Sequence, residues 1–389
     1  MLGSEFTGVA IPYQMYRLTE STLQVGLLAL TALAPLLTMT LVGGALADAL
    51  DRRRLLLRTE AALAIASGGL ALNAFADEPR VWLLYVLSFV NASAFSLGVA
   101  AMRSATPRLV TLDELPAATA LNGVYSNFGA VAGPALAGVL IAVIGLGSTY
   151  VLDTASFLVS LWSVWSLPPL PAAEDAERAS LRSIGEGFKW VLRHKPVLGI
   201  FLVDSNVMLF GMPSALFPAI GLDVLEGNST TVGFLYGAPY AGALLATVTS
   251  GWVLHARRHG LIVCIAASVW GVAIAAFGFA DSLWLAVVLL AVAGAADYVS
   301  AIFRSVMVQT VTPDPMRGRV AGIEFMQVAA APTLGNVEAG VLAALTSIRA
   351  SVVSGGVLSI LGTAVIALAI PSLVRYDAEE AKRRAAAEA

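Results

Sequence analysis

Long apolar runs recur along this chain, each near the length that spans a lipid bilayer and each ended by a turn that holds the charges. A helix rises about 1.5 Å per residue, so roughly 20 mostly apolar residues cross the hydrocarbon layer. Such runs lie at about 24 to 46, 55 to 76, 81 to 102, 119 to 144 and 148 to 168. Six more lie at about 196 to 220, 231 to 253, 260 to 280, 282 to 303, 319 to 346 and 350 to 374. Runs this long in lipid read as helices, which satisfy their backbone groups internally. Composition agrees: 58% of the 389 residues are hydrophobic and 13% charged, against about a quarter charged in soluble domains. Mean hydropathy is +0.81. An all-α integral membrane protein is expected.

A twelfth apolar stretch, residues 6–16, stops at Arg17 and is too short to cross. A secretory signal would need a positive start and a small-residue cleavage site, whereas residues 1–10 carry Glu5 and no Lys or Arg. The expectation is a first helix that is N-terminally truncated, through a late start or a shortened chain. Orientation follows from the cations, since cytoplasmic loops retain Lys and Arg. With the partial helix running outward, 20 of them fall inside, among them Arg52, Arg53, Arg304 and Arg319, and 3 outside, namely Arg17, Arg80 and Arg349. Both termini are then cytoplasmic.

Cys264 is the sole cysteine, so no internal disulfide can form. His194, His255 and His259 lack partners at metal-ligand spacing and are read as solvated loop residues. No metal and no cofactor are expected.

The chain repeats itself. Matching Gly26 to Gly233 carries Gly44 onto Gly251, and the charged turn at 255–259 then takes the place of 48–52. Arg103-Ser104 and the Val110-to-Asp113 run find their echo in Arg304-Ser305 and Val311 to Asp314, and Gly138 finds Gly340. Two homologous six-helix halves in one orientation are a parallel repeat of the kind found in secondary transporters. The expected organisation is an N-terminal half over 1–168, a linker with an amphipathic helix over 169–195, a C-terminal half over 196–375 and a tail over 376–389. The linker opens on Pro168, Pro169 and Pro171, and Ile184, Phe188, Val191 and Leu192 then follow at helical spacing. Such a helix lies on the inner membrane surface.

The turn after the second helix reads Gly44-Ala45-Leu46-Ala47-Asp48-Ala49-Leu50-Asp51-Arg52-Arg53. A glycine there permits close helix approach, and an acid can face the positive N-terminal end of a neighbouring helix. This run resembles the G-x-x-x-D-x-x-[DG]-R-[RK] signature of the major facilitator superfamily, and the resemblance covers essentially the whole chain. It implies the major facilitator fold, with 12 transmembrane helices in two halves. It also implies a cytoplasmic latch on Asp48, assisted by Arg52 and Arg53, whose natural partner is the eleventh helix near Arg319.

The fifth helix carries Gly129-Ala130-Val131-Ala132-Gly133-Pro134-Ala135-Leu136-Ala137-Gly138, similar to the G-x-x-x-G-P-x-x-G-G element of drug and proton antiporters. Small residues every fourth position make a smooth face where backbones touch, and Pro134 removes one helical hydrogen bond. The fourth helix lacks the arginine that many proton-coupled drug exporters carry. The wider pattern, with Ala105-Thr106-Pro107, Arg317-Gly318-Arg319-Val320 and Leu334-Gly335-Asn336, resembles the enterobactin (siderophore) exporter branch, which typically lacks it too.

A carboxylate near the bilayer centre costs about 2.5 to 3.5 kcal/mol and is rarely kept idly. Five lie within or at the edge of runs: Glu5, Asp204, Asp297, Glu324 and Glu338. Any could exchange a proton for substrate. Asp204 and Asp297 come first, because the resemblance implies that their helices line the central cavity. Asp204 could also form a hydrogen-bonded knot with Ser205 and Asn206, Glu324 could pair with an inner arginine, and Glu338 could be satisfied by Asn336. Asp153 is read as a helix cap. Tyr125, Phe128, Phe210, Tyr236, Tyr240 and Tyr298 are candidate cavity aromatics suited to a planar amphipathic ligand.

An ATP-driven pump would need a phosphate-cradling glycine loop, and the run Gly185-Glu186-Gly187-Phe188-Lys189 does not supply one. No enzyme motif such as H-E-x-x-H is present. The expected protein is therefore no enzyme but a monomeric secondary active exporter in a bacterial cytoplasmic (inner) membrane. It would move a small siderophore-like molecule by proton antiport with alternating access. Its partners are that molecule, the proton and the lipid bilayer, with no nucleic acid. The alternatives are a multidrug or macrolide efflux transporter of the same fold and, further off, a non-transporting receptor or scaffold.

Overall fold

The computed structural model describes residues 2–111, 113–170 and 181–380; the side chains at 2–3, 40–49, 103–104, 107–108, 181–184, 254 and 315 also lie outside the description. Among the described residues all regular structure is helical. In chain order the helices are α1 (Leu2–Thr19), α2 (Thr22–Ala49), α3 (Arg52–Phe75), α4 (Val81–Leu109), α5 (Leu115–Ile144), α6 (Leu146–Trp165), α7 (Leu181–Arg193) and α8 (Lys195–Phe210). There follow α9 (Phe217–Ala219), α10 (Ser229–Val248), α11 (His259–Phe277), α12 (Leu283–Val311), α13 (Asp314–Leu345), α14 (Ile348–Ala369) and α15 (Pro371–Val374).

Local chemistry sets the boundaries. Asp51 caps α3 by accepting from the Arg54 amide at 3.0 Å, and Ser347 caps α14 by accepting from the Ala350 amide at 3.1 Å. Ahead of α5, the Thr111 amide and hydroxyl both donate to Glu114, at 3.0 and 2.8 Å. Those bonds hold the exposed Glu114 carboxyl below the usual carboxylate range. Gly145 alone joins α5 to α6, at φ 85°, a conformation that an L side chain adopts only under strain.

The chain folds into two compact units. The first is Met1–Ala179 with Phe217–Gly237; the second is Ser180–Leu216 with Ala238–Ala389. In this division Phe217–Gly237, from within the expected C-terminal half at 196–375, goes with the first unit. The seventh apolar run supplies the reason. It is not one helix: α8 stops at Gly211, Pro213 cannot donate to a continuing ladder, and the chain goes on as a 3-10 turn, α9 and a π turn to Val224.

The repeat is visible in packing. In the first unit α3 lies against α4 and α6, and α1 against α5 and α6. In the second, α11 lies against α12 and α14, and α8 against α13 and α14. Small residues carry much of the buried contact, among them Ala66, Ala101, Ala105 and Ala137, while Leu72, Trp82, Val143, Trp162, Val248, Trp284 and Leu368 are more than half exposed. Large apolar side chains turned outward suit a lipid solvent.

Ten of the described helices are long and apolar enough to cross a membrane; α1 and α6 are not among them. The run at 148–168 was expected to be a full apolar span, yet Thr149, Tyr150 and Asp153 interrupt it, and all three are buried. The expected linker helix is present as α7. Gly187 lets it approach α13, where Glu186 meets Arg319 at 2.8 Å. Val191 is buried, whereas Phe188 and Leu192 are exposed. Linker residues 171–180 and tail residues 381–389 lie outside the described residues.

Candidate functional site

A polar cluster sits in the apolar interior of the second unit. Asp204, in the third turn of α8, is 5% exposed. Arg304 of α12 donates to it and forms an ion pair, and Gln327 Nε2 of α13 donates to its other oxygen at 3.0 Å. Gln327 Nε2 also donates to the Phe201 carbonyl at 2.8 Å, which fixes the amide. Arg304 Nη2 stands 3.7 Å from Asp297 Oδ1; Asp297 lies two turns earlier on α12, and its side chain is 36% exposed. The separation of seven residues puts Asp297 and Arg304 on the same side of their helix. Glu324 lies on α13, one turn before Gln327. Two carboxylates thus share one guanidinium, and at the buried Asp204 Coulomb terms are large and uncompensated charge is costly.

This arrangement resolves several expectations. Arg304 is not an inner-loop cation; it lies within α12 and is the centre of the cluster. Asp204 and Asp297 are brought together on Arg304, and Glu324 lies on α13 of the same unit. Asp204 makes no knot with Asn206, whose Nδ2 donates instead to the Ser359 carbonyl of α14 at 2.8 Å. The arginine suggested for Glu324, Arg319, is taken by Glu186. Glu338 is half-buried on α13, and Asn336 does not serve it: Asn336 Oδ1 accepts from Ser214 and from the Ala215 amide, both at 2.7 Å. Glu5 belongs to the other unit, on α1 against Gly133. His259 is not a solvated loop residue but is buried at the start of α11, its ring 4.9 Å from that of Phe303.

The glycine-proline element of α5 is a contact surface in the first unit. A Cβ at Gly138 would meet the Ser229 carbonyl oxygen and, at 2.9 Å, the Gly233 Cα. A Cβ at Gly233 would lie 2.5 Å from the Pro134 carbonyl oxygen, and one at Gly237 3.2 Å from the Val131 carbonyl oxygen. The pair Gly233 and Gly237 on α10 is therefore a second small-residue stripe that sequence reading left unused. Ser229 Oγ donates to the Gly138 carbonyl at 3.0 Å. Gly133 faces Glu5, and Gly129 faces open space.

The charged turn also has a local role. The Arg52 amide donates to the Leu170 carbonyl at 2.9 Å, and Arg53 donates to the Trp165 carbonyl at the end of α6. A cation on the last carbonyls of a helix satisfies groups that have no partner within it. The arginines thus fasten the end of α6. Gly44 and Asp48 lie where α2 is traced as helix but its side chains are outside the described residues.

The candidate aromatics are divided between the two units. Tyr125, Phe128 and Tyr236 belong to the first unit and Phe210, Tyr240 and Tyr298 to the second. Tyr236 packs edge-on against Phe217 with ring centroids 5.0 Å apart. Among the described residues no group of His, Cys, Asp and Glu could hold a metal ion.

Comparison with known proteins places this geometry. The profile of the transmembrane secretion effector family matches residues 1–388. "Enterobactin exporter EntS" of Shigella boydii is 33% identical over 370 residues, 95% of this chain and 88% of that protein. The protein of the same description from Escherichia fergusonii is 32% identical over the same shares. A mutant of the nucleoside transporter NupG superposes with a TM-score of 0.75 at 14% identity, over 95% of this chain and 99% of that one. A bacterial homologue of the iron transporter ferroportin superposes with a TM-score of 0.69 at 15% identity, over 96% and 95%. At such identities the structures speak for the fold alone, and the fold is that of the major facilitator transporters.

Proposed function

Because the chain belongs to the transmembrane secretion effector family, we propose that it is a secondary exporter that drives a siderophore-like, amphipathic small molecule outward by proton antiport. The observation that carries this reading is the cluster of Asp204, Asp297 and Arg304, with more carboxylates than cations. One proton relieves the excess charge, and its loss restores it, so the cluster has two charge states between which transport can cycle. Arg304 can serve either carboxylate in turn. The excess of Lys and Arg in the inner turns supports cytoplasmic termini, and the similarity to proteins described as enterobactin exporters supports the substrate class.

The test is transport into vesicles with an imposed pH gradient, using a catecholate siderophore as probe. Gradient-driven accumulation is expected, and Asp204→Asn and Asp297→Asn should abolish the dependence on the gradient while leaving downhill exchange. Substrate movement indifferent to the gradient in the parent protein would sink proton coupling. Transport of hydrophobic drugs in place of the catecholate would shift the substrate to the efflux class.

The turn after α2 is assigned a gating role, with alternating access as the cycle. A carboxylate at a helix terminus contributes about 0.3 to 2 kcal/mol. Asp48→Ala should therefore slow exchange by a few-fold up to about thirtyfold. His255, which stands in the corresponding position of the second half and is exposed, should be replaceable by Ala with little effect. Equal exchange rates in the two variants would remove the asymmetry.

A further inference from the structure

A second buried carboxylate lies in the first unit and takes no part in the cluster described above. Asp153 was read as a helix cap, but it sits two turns inside α6 and is fully buried, at 0% exposure. Thr7 of α1 donates to its Oδ2, and Ser67 of α3 donates to the same oxygen at 2.7 Å. Oδ1 is buried with no hydrogen-bond partner. One turn before Asp153, Tyr150 donates to Gln14 Oε1 at 3.0 Å. Thr7 and Gln14, seven residues apart, are on one face of α1, so Asp153 and Tyr150 form a polar seam that holds α1 to α6.

The charges around this seam do not balance an ionised Asp153. On α1, Glu5 stands against Gly133, and Arg17 lies ten residues, or about 15 Å of helix, beyond Thr7. On α3, Glu60 is bonded to Ser160 of α6, two turns away. The only titratable side chain of α5 is Tyr125. Tyr150 is neutral in its ordinary state. Among the described residues no Lys, Arg or His forms an ion pair with Asp153.

We propose that Asp153 is a second proton-binding site, with the proton on Oδ1, and that this proton keeps α1 seated on α3 and α6. The bonding pattern supports it directly. Both hydroxyls donate to Oδ2, as to the carbonyl oxygen of a neutral acid, while an ionised carboxylate would draw donors to both oxygens. A bare carboxylate with one oxygen unpartnered would be the costliest group in the unit. The site adds to the proton-coupled reading a group in the other unit, and it has its own measurement.

That measurement is infrared titration of the full chain in lipid. The parent protein should show a protonated-carboxyl band that disappears with a midpoint above the ordinary carboxylate value of about 4. One component of the band should be absent in Asp153→Asn and retained in Asp204→Asn, where the component of the second-unit cluster is the one to change. Ser67→Ala removes a donor that favours the ionised form and should raise the midpoint by about one pH unit. Protection of the α1 amides, corrected for the intrinsic pH dependence of exchange, should fall with pH in the parent and stay flat in Asp153→Asn. Identical spectra for the parent and Asp153→Asn overturn the proposal. So does a midpoint that Ser67→Ala leaves in place, which decides the matter if the Asn variant fails to fold, or one that moves when sodium replaces potassium. If vesicle transport ignores the pH gradient while the band titrates, the coupling reading falls and this site stands.

Discussion

Replacing Arg304 with Met should destabilise the protein by about 3 to 5 kcal/mol, the usual effect of removing one partner from a buried ion pair. Arg304 and Asp204 have side chains only 15% and 6% exposed, and Gln327 is the remaining donor to Asp204. A carboxylate left with an amide alone keeps its desolvation cost and loses its counter-charge. The double variant Arg304→Met with Asp204→Asn removes both charges and should recover most of the loss, since replacing both partners is often near neutral. Denaturant unfolding in detergent reads both effects. A single variant as stable as the parent would mean that the pair is solvated and the cluster is not a buried switch. The double variant also separates stability from coupling, because it should fold and yet ignore a pH gradient.

Gly138→Val should disable transport where Gly129→Ala does not. At Gly138 the neighbours of any added Cβ are the Ser229 carbonyl and the Gly233 Cα, both backbone, whereas at Gly129 nothing lies within 4 Å. Overpacking of this kind costs about 1 to 3 kcal/mol, which is roughly five- to 150-fold in any equilibrium that closes the seam. The Gly129 change adds a methyl where nothing lies within 4 Å and should be the milder of the two. Thermal stability and initial transport rate of the two variants check it. Equal rates would mean that the glycine stripe on α5 is not closed against α10. A Cβ at Gly133 would lie 2.5 Å from the Cβ of Glu5, an atom that the backbone fixes, so a side chain there should be costly as well.

What sequence reading reached, and what it missed, follows from the physics of each signal. Hydropathy integrates over a whole run, so the helices and their duplication were legible, and the glycine-proline element was legible because close approach needs residues without bulk. Arg304 was assigned to a loop because it stands at the edge of an apolar run, where hydropathy cannot distinguish a cation in water from one turned inward. Its spacing of seven from Asp297 was the available signal. The break after α8 was marked by Gly211 and Pro213 in a run otherwise apolar enough to hide it. Asp153 and its partners Thr7 and Ser67 are far apart in the chain, and nothing local announces such a meeting. The single guanidinium shared by Asp204 and Asp297 is a tertiary fact of the same kind.

The polar character of α6 bears on how the protein is made. Insertion of a helix into the bilayer is judged segment by segment, and a central acid raises the cost by about 2.5 to 3.5 kcal/mol. Alone, α6 would present Asp153 to lipid; beside α3 and α1 the same acid is met by Ser67 and Thr7. This helix is therefore expected to enter the membrane more readily beside helices already there, and a variant lacking Ser67 and Thr7 should insert α6 less well, which accessibility labelling of α6 would show.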